Sequence, residues 1–264
     1  FSDGADGTIL GEGIGMVALK RLEDAERDGD RIYGVIRGVG ASSDGKAKSV
    51  YAPVPEGQAK ALRRAYEAAG YSPGTVELVE GHGTGTTAGD AAEFKGLCLA
   101  FGEAEREDTQ WCSLGSVKSQ IGHTKAAAGA AGLFKAVMAL HHKVLPPTIK
   151  IETPNPKLEL EKSPFNLNMR PRPWIRSGDH PRRASVSSFG FGGSNYHLAL
   201  EEYVGDAPAA WRSRTASTEM VTYSASTPAA LSSVLRGIEI KGERCLTYLA
   251  RLSQGEADTT LPAR

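Results

Sequence analysis

Glu80-Gly81-His82-Gly83-Thr84-Gly85-Thr86 and Gly115-Ser116-Val117-Lys118-Ser119-Gln120-Ile121-Gly122-His123 are the two stretches that decide how this chain folds. Each follows a short apolar run that reads as a buried strand, and each precedes a helical pattern. A strand-to-helix crossing is where an α/β fold presents side chains and free backbone N–H groups to a ligand. Two such crossings, each carrying an imidazole, suggest that both rings face one bound molecule. A third glycine-rich turn, Ser188-Phe189-Gly190-Phe191-Gly192-Gly193-Ser194-Asn195, follows the strand-like Ala184-Ser185-Val186-Ser187 and can bring backbone donors to the same place.

Outward from these loops the pattern stays alternating. Gly15 to Lys20 reads as a strand, Leu22 to Arg27 as a short helix, and Ile32 to Val39 as a second strand ending at Ser43-Asp44-Gly45. Ala59, Leu62, Tyr66 and Ala69 recur at helical spacing from Glu56 onward, closing on Gly70 as a C-terminal cap. Val76 to Val79 is the strand entering the first loop. Asp90 with Glu93 matches a capping box for a helix running to Phe101. A long alanine-rich helix spans Ala126 to His142, where Gly129 and Gly132 imply close packing. Strands alternating with helices argue for an α/β layered domain over residues 1–203. From 204 to 264 the texture changes. Asp206 to Ala210 is linker-like, Met220 to Ser226 reads as one strand, and helices follow over Pro228 to Ile238 and Cys245 to Leu252. This is too little for an independent core and reads as part of an α/β linker or adjoining domain.

Composition narrows the function classes. Acids and bases balance at 31 each in 264 residues, so no global field favours nucleic acid or a membrane surface. No apolar run reaches the ~18–20 residues that span a bilayer. Cys98, Cys112 and Cys245 are too few and too irregular for a disulfide framework or a zinc site, so no metal is expected. That usage suits a reducing, cytoplasmic setting. The chain opens at Phe1-Ser2-Asp3, which reads as a piece of something longer.

The chemistry follows from the loops. His123 sits near the start of a helix that Thr124 is placed to cap, and a helix's positive end keeps an imidazole neutral and donating. Glycines on both sides of His82 let a ligand approach closely. Two neutral imidazoles aimed at one thioester carbonyl stabilise the enolate formed by decarboxylation. Read singly, each histidine can simply bond within its own loop; the pairing is what argues for a site. Lys118 supplies a fixed positive charge unless it is a solvated surface lysine. Cys98 and Cys112 read as core thiols, His197 as a strand residue, and His141 and His142 as surface residues.

The chain resembles the C-terminal half of a β-ketoacyl synthase (ketosynthase) domain of a multifunctional polyketide or fatty-acid synthase. The family's patterns occur in family order: Ala5-Asp6-Gly7 through Gly11-Glu12-Gly13, His82 to Thr86, Lys118 to His123, and Gly190 to Asn195. Ser42-Ser43-Asp44-Gly45-Lys46, Tyr51-Ala52-Pro53 and Ala91-Ala92-Glu93-Phe94 look most like bacterial polyunsaturated fatty-acid synthases, with enediyne and glycolipid synthases as rivals. The resemblance implies a thiolase-like layered fold, a homodimer and a cysteine–histidine–histidine site. It matches His82, His123 and Lys118 to catalytic positions, and Thr84 and Thr86, with Gly192, to the phosphopantetheine arm. Phe191, with Gly190, matches the gating and oxyanion-hole position. The implied activity is an acyltransferase reaction: decarboxylative Claisen condensation of an acyl-cysteine with malonyl carried on an acyl carrier protein, beside adjoining acyltransferase or other synthase domains, with no cofactor bound by the domain itself.

Two departures qualify the resemblance. The family's nucleophilic cysteine lies upstream of the segment that starts at Phe1, so this piece is expected to be inactive alone. Gly132 stands where some stand-alone members carry a glutamate facing the lysine, which leaves Glu12, Glu80 or Glu93 as partner of Lys118. A non-elongating dimerisation or chain-length module is the alternative. A degradative thiolase is a weaker one, because Ser194-Asn195-Tyr196-His197 offers no second cysteine. Chain length, starter unit and number of cycles are not legible.

Overall fold

The computed structural model describes residues 1–46, 49, 52–176, 179–205, 219–238, 245–258 and 260–263. It divides into two compact units, Phe1–Pro208 and Ala209–Arg264. In the first, six strands form one mixed sheet: β1 (Val35–Ser43), β2 (Leu78–Glu80), β3 (Cys112–Gly115), β5 (Phe165–Leu167), β7 (Arg183–Gly190) and β8 (Ser194–Glu201). Their spatial order is β1-β8-β7-β2-β3-β5. β2 runs parallel to both β3 and β7, and β3 parallel to β5, whereas β8 is antiparallel to β7 and β1. A separate pair, β4 (Val144–Leu145) and β6 (Arg172–Pro173), lies apart.

Helices cover both faces. On one, α2 (Pro55–Ala69) packs against β1 and β8, and α3 (Thr87–Phe101) packs against α2. Ala59, Leu62, Ala65, Tyr66 and Ala69 of α2 are buried with Phe94, Leu97 and Phe101 of α3. That is the stripe expected from their spacing, and burying each large side chain contributes ~1.5–3 kcal/mol. The approach of α2 to the sheet depends on glycine in β1, because a Cβ at Gly40 would lie 1.9 Å from the Ala61 carbonyl oxygen. Pro55 opens α2 and Gly70 ends it at φ 72°. On the other face α5 (Ala128–His142) buries Ala136, Ala139 and Leu140 against Leu78, Val186 and Leu200.

Several expectations change. Gly15 to Lys20 forms no strand: it joins no ladder among the described residues, and Met16, Val17 and Leu19 of this stretch stand exposed. Its apolar pattern therefore marks a surface left uncovered within this chain. Leu22–Arg27 is helical as expected (α1), while the second strand begins and ends later than its apolar run, at Val35 and Ser43. α3 starts at Thr87, with Thr86 accepting from the Gly89 N–H, so Asp90 and Glu93 lie inside the helix and form no capping box. Thr124 makes no side-chain cap.

In the second unit, α6 (Pro228–Arg236) is capped by Thr227, and α7 spans Cys245–Glu256. The strand expected at Met220 to Ser226 reduces to a single bridge between Ala225 and Ala263. The linker at Asp206 to Ala210 lies outside the described residues, as does Tyr51. Among the described residues no helix is long and apolar enough to cross a membrane.

Candidate active site

Because β2, β3 and β7 run in one direction, their C-terminal ends open on one edge of the sheet. β2 leads into His82, β3 into the short helical turn α4 (Lys118–Ile121) and then His123, and β7 into Phe191. His82 and His123 meet with ring centroids 5.5 Å apart and planes at 89°. Both line a cavity of ≈ 660 Å³ together with Thr84, Thr86, Gly190 and Phe191. Gly192 does not line it. That residue sits at φ 85° in the hairpin turn, a conformation glycine adopts without strain. Phe191 projects, 82% exposed.

Hydrogen bonds decide what the two rings can offer. Lys118 Nζ donates to the His82 carbonyl and lies 3.4 Å from His82 Nδ1. The Lys125 N–H donates to His123 Nδ1 at 3.0 Å. With Nδ1 accepting in both rings, each neutral imidazole carries its proton on Nε2. Burial, and then the nearby Lys118 charge, pushes His82 down to about 3 and lowers His123 in the same direction. Burial and the nearby Lys118 charge both favour the neutral form of His123, and the Lys125 N–H at the start of the following helical turn meets its Nδ1.

Lys118 makes no ion pair among the described residues. Burial lowers its pKa, while Glu93, Glu80 and Asp90 pull the other way. None of the three proposed carboxylate partners is its direct partner. Glu80 pairs instead with Lys135 at 2.7 Å. Glu93 accepts the His82 and Gly83 N–H groups at 2.6 and 2.7 Å, and Asp90 accepts from Gly85 at 3.0 Å. These acids shape the first histidine loop from α3. Their spacing resembles a cap, so nothing along the chain signals this use. Phe189, 5.9 Å from His82 ring to ring, is a further wall that sequence reasoning missed. Its position on the other side of Gly190 from Phe191 was the available signal.

No cysteine with a described side chain reaches the site. Cys112 is buried in β3 and Cys98 partly buried in α3; burial pushes the Cys98 thiol up to about 11 and Cys112 upward as well. Neither has thiolate character. His197 is a buried strand residue, its ring nitrogens 3.0 Å from Ser187 Oγ and 3.1 Å from the Tyr66 hydroxyl.

A layered α/β domain with paired neutral histidines, a lysine and a glycine-rich hairpin at one sheet edge defines a class, that of the condensing enzymes. Residues 33–152 match the β-ketoacyl synthase C-terminal domain and 154–260 the ketoacyl-synthetase C-terminal extension. The chain belongs to the β-ketoacyl synthase family and corresponds to the C-terminal part of a ketosynthase domain. It is 48% identical over 218 residues to a polyunsaturated fatty acid synthase polypeptide of Thraustochytrium sp., covering 80% of this chain and 8% of that protein. Over 203 residues it is 47% identical to polyketide synthase PksL of Bacillus subtilis, covering 77% of this chain and 4% of that one. The ketosynthase from module 1 of the bacillaene synthase of Bacillus amyloliquefaciens superposes with a TM-score of 0.71 at 35% identity, covering 96% of this chain and 44% of that chain. The fold is the thiolase-like one of such domains. The chain therefore spans under a tenth of the named synthases and less than half of the solved ketosynthase.

Proposed function

We propose that this chain supplies the decarboxylation half of a decarboxylative Claisen condensation. The observation that carries this reading is the pair of imidazoles, His82 and His123, whose ring centroids lie 5.5 Å apart and which line one cavity. A malonyl thioester seated there points its carbonyl oxygen at His82 and His123. The C–C bond to the carboxylate breaks, carbon dioxide leaves, and the electron pair forms an enolate whose oxygen the two N–H groups stabilise. The enolate carbon then attacks an acyl group held as a thioester on a cysteine, and the cysteine thiolate departs. That cysteine comes from the portion of a ketosynthase not contained in this chain, since Cys112 is buried, Cys98 is partly buried, and neither lines the cavity. Lys118 fixes the His82 tautomer. Thr84 and Thr86 receive the phosphopantetheine arm of an acyl carrier protein, Phe191 gates the cavity, and the Gly190–Phe191 backbone contributes to the acyl oxyanion hole. Residues 204–264 are the post-ketosynthase linker, and the working enzyme is a homodimer.

The test uses a ketosynthase domain in which this chain is joined to the N-terminal half its structural relatives carry. His82→Ala and His123→Ala are each expected to lose about 100-fold or more (roughly 2.7 kcal/mol) in malonyl decarboxylation, measured apart from condensation. Full decarboxylation by His82→Ala would remove that residue from the mechanism. A domain that decarboxylates but never condenses would instead be the non-elongating module.

A further inference from the structure

Below the two histidines lies a buried ion pair that the proposed chemistry does not use. Glu80 closes β2, two residues before His82, and is 2% exposed. One of its carboxylate oxygens accepts the Val117 N–H at 2.5 Å; the other lies 2.7 Å from Lys135 Nζ, whose side chain is 10% exposed. Val117 is the residue from which the Lys118 turn springs. Lys135 is on α5, the helix that follows His123. A single carboxylate therefore ties together β2, which leads into His82, the turn that carries Lys118, and α5, the helix that follows His123.

The surroundings are built around this carboxylate. A Cβ at Gly132 would lie 3.1 Å from Glu80 Cγ and 3.2 Å from Val186 Cγ1, so α5 leaves at that position the room the glutamate stem occupies. Thr148, itself buried, hydrogen-bonds the neighbouring Ser116 N–H at 3.2 Å and closes the next step of the same loop. Breaking one half of such a pair leaves an uncompensated buried charge, whereas removing both charges together is often tolerated by the fold. Stability alone would be served as well by apolar packing. What the pair adds is a fixed geometry between three backbones.

We propose that Glu80 and Lys135 are positioning residues for the decarboxylation site, setting the distance and orientation of the Lys118–His82 couple relative to His123. This rests on the condensation reading above. The two histidines must reach one thioester oxygen, and a misplacement on the order of 1 Å costs about 100-fold in rate. Attack of the cysteine on an acyl donor does not require the enolate-stabilising pair. The proposal therefore separates two half-reactions.

The experiment uses the joined ketosynthase domain, with malonyl-pantetheine decarboxylation and acyl-enzyme formation (by intact mass) followed separately in Glu80→Gln, Lys135→Met, Lys135→Arg and the double variant Glu80→Met/Lys135→Met. Decarboxylation kcat is expected to fall at least ~10-fold in Glu80→Gln and Lys135→Met while acylation stays within about 2–3-fold, with Lys135→Arg recovering much of the rate. The double variant keeps both stems without buried charge and so guards against loss of folding; it is expected to take an acyl group normally yet remain slow in decarboxylation. Equal loss in both half-reactions, or wild-type decarboxylation in the double variant, would overturn the proposal. If the unmodified domain does not decarboxylate at all, the condensation reading fails and this role with it, an outcome distinct from wild-type decarboxylation in the double variant.

Discussion

Replacing Glu93 with glutamine tests the anchoring of the histidine loop quantitatively. Glu93 is 3% exposed and accepts two N–H groups, from His82 and Gly83. Burial, reinforced by Asp90, pushes its carboxyl up to about 7 from 4.5, against the pull of those two donors. A raised acid contributes stability that is fully present below the unfolded value and is lost as pH rises through the folded one. Here the window runs from 4.5 to about 7, and its width corresponds to about 3 kcal/mol. The glutamine is uncharged at every pH but presents one oxygen in place of two, leaving one N–H unpaired at a cost of ~1–3 kcal/mol. Glu93→Gln is therefore expected to be less stable than wild type by ~1–3 kcal/mol near pH 5, with the gap closing or inverting near pH 8. The buried histidines are common to both proteins and cancel in the difference. Urea unfolding of the joined ketosynthase domain at the two pH values measures it. A gap that stays constant between them would show that Glu93 is ionised throughout and refute the reasoning.

Two further outcomes follow from the packing. Gly40→Ala places a methyl 1.9 Å from the Ala61 carbonyl oxygen and should destabilise the domain by ~2 kcal/mol or more, read from its urea midpoint; an unchanged midpoint would contradict the close contact of β1 with α2. His197, held neutral by burial with its pKa down at about 3, contributes stability that is present above the unfolded value and lost as pH falls below it. His197→Leu should leave the Ser187 and Tyr66 hydroxyls short of a partner, costing ~1–3 kcal/mol near neutrality, and should flatten the acid limb of a melting-temperature profile below about pH 6.5.

The chain's local signals were sufficient for its principal helices and for its family. The spacing of Ala59, Leu62, Tyr66 and Ala69 determines α2, Gly70 its end, and the alanine-rich run α5, because helical periodicity and left-handed caps are properties of neighbours in sequence. The three loops could be matched to ketosynthase patterns for the same reason: each is contiguous. What lay beyond sequence are facts about atoms that meet across the fold. Asp90 and Glu93 have the spacing of a cap, yet a carboxylate serves whichever N–H groups stand nearest, and these belong to the His82 loop. The proton on each imidazole depends on what reaches Nδ1, which is Lys118 for one ring and the Lys125 backbone for the other. Gly15 to Lys20 has the apolar content of a strand but no ladder to join, since a strand requires a partner that periodicity cannot provide. Glu80 was one of three candidate partners of Lys118 in the sequence; only the parallel alignment of β2 and β3, with α5 packed on β7 and β2, brings Lys135 and the Val117 N–H to its two oxygens. Periodicity acts along the chain, while buried charges are placed by desolvation, which exists only once the elements have packed.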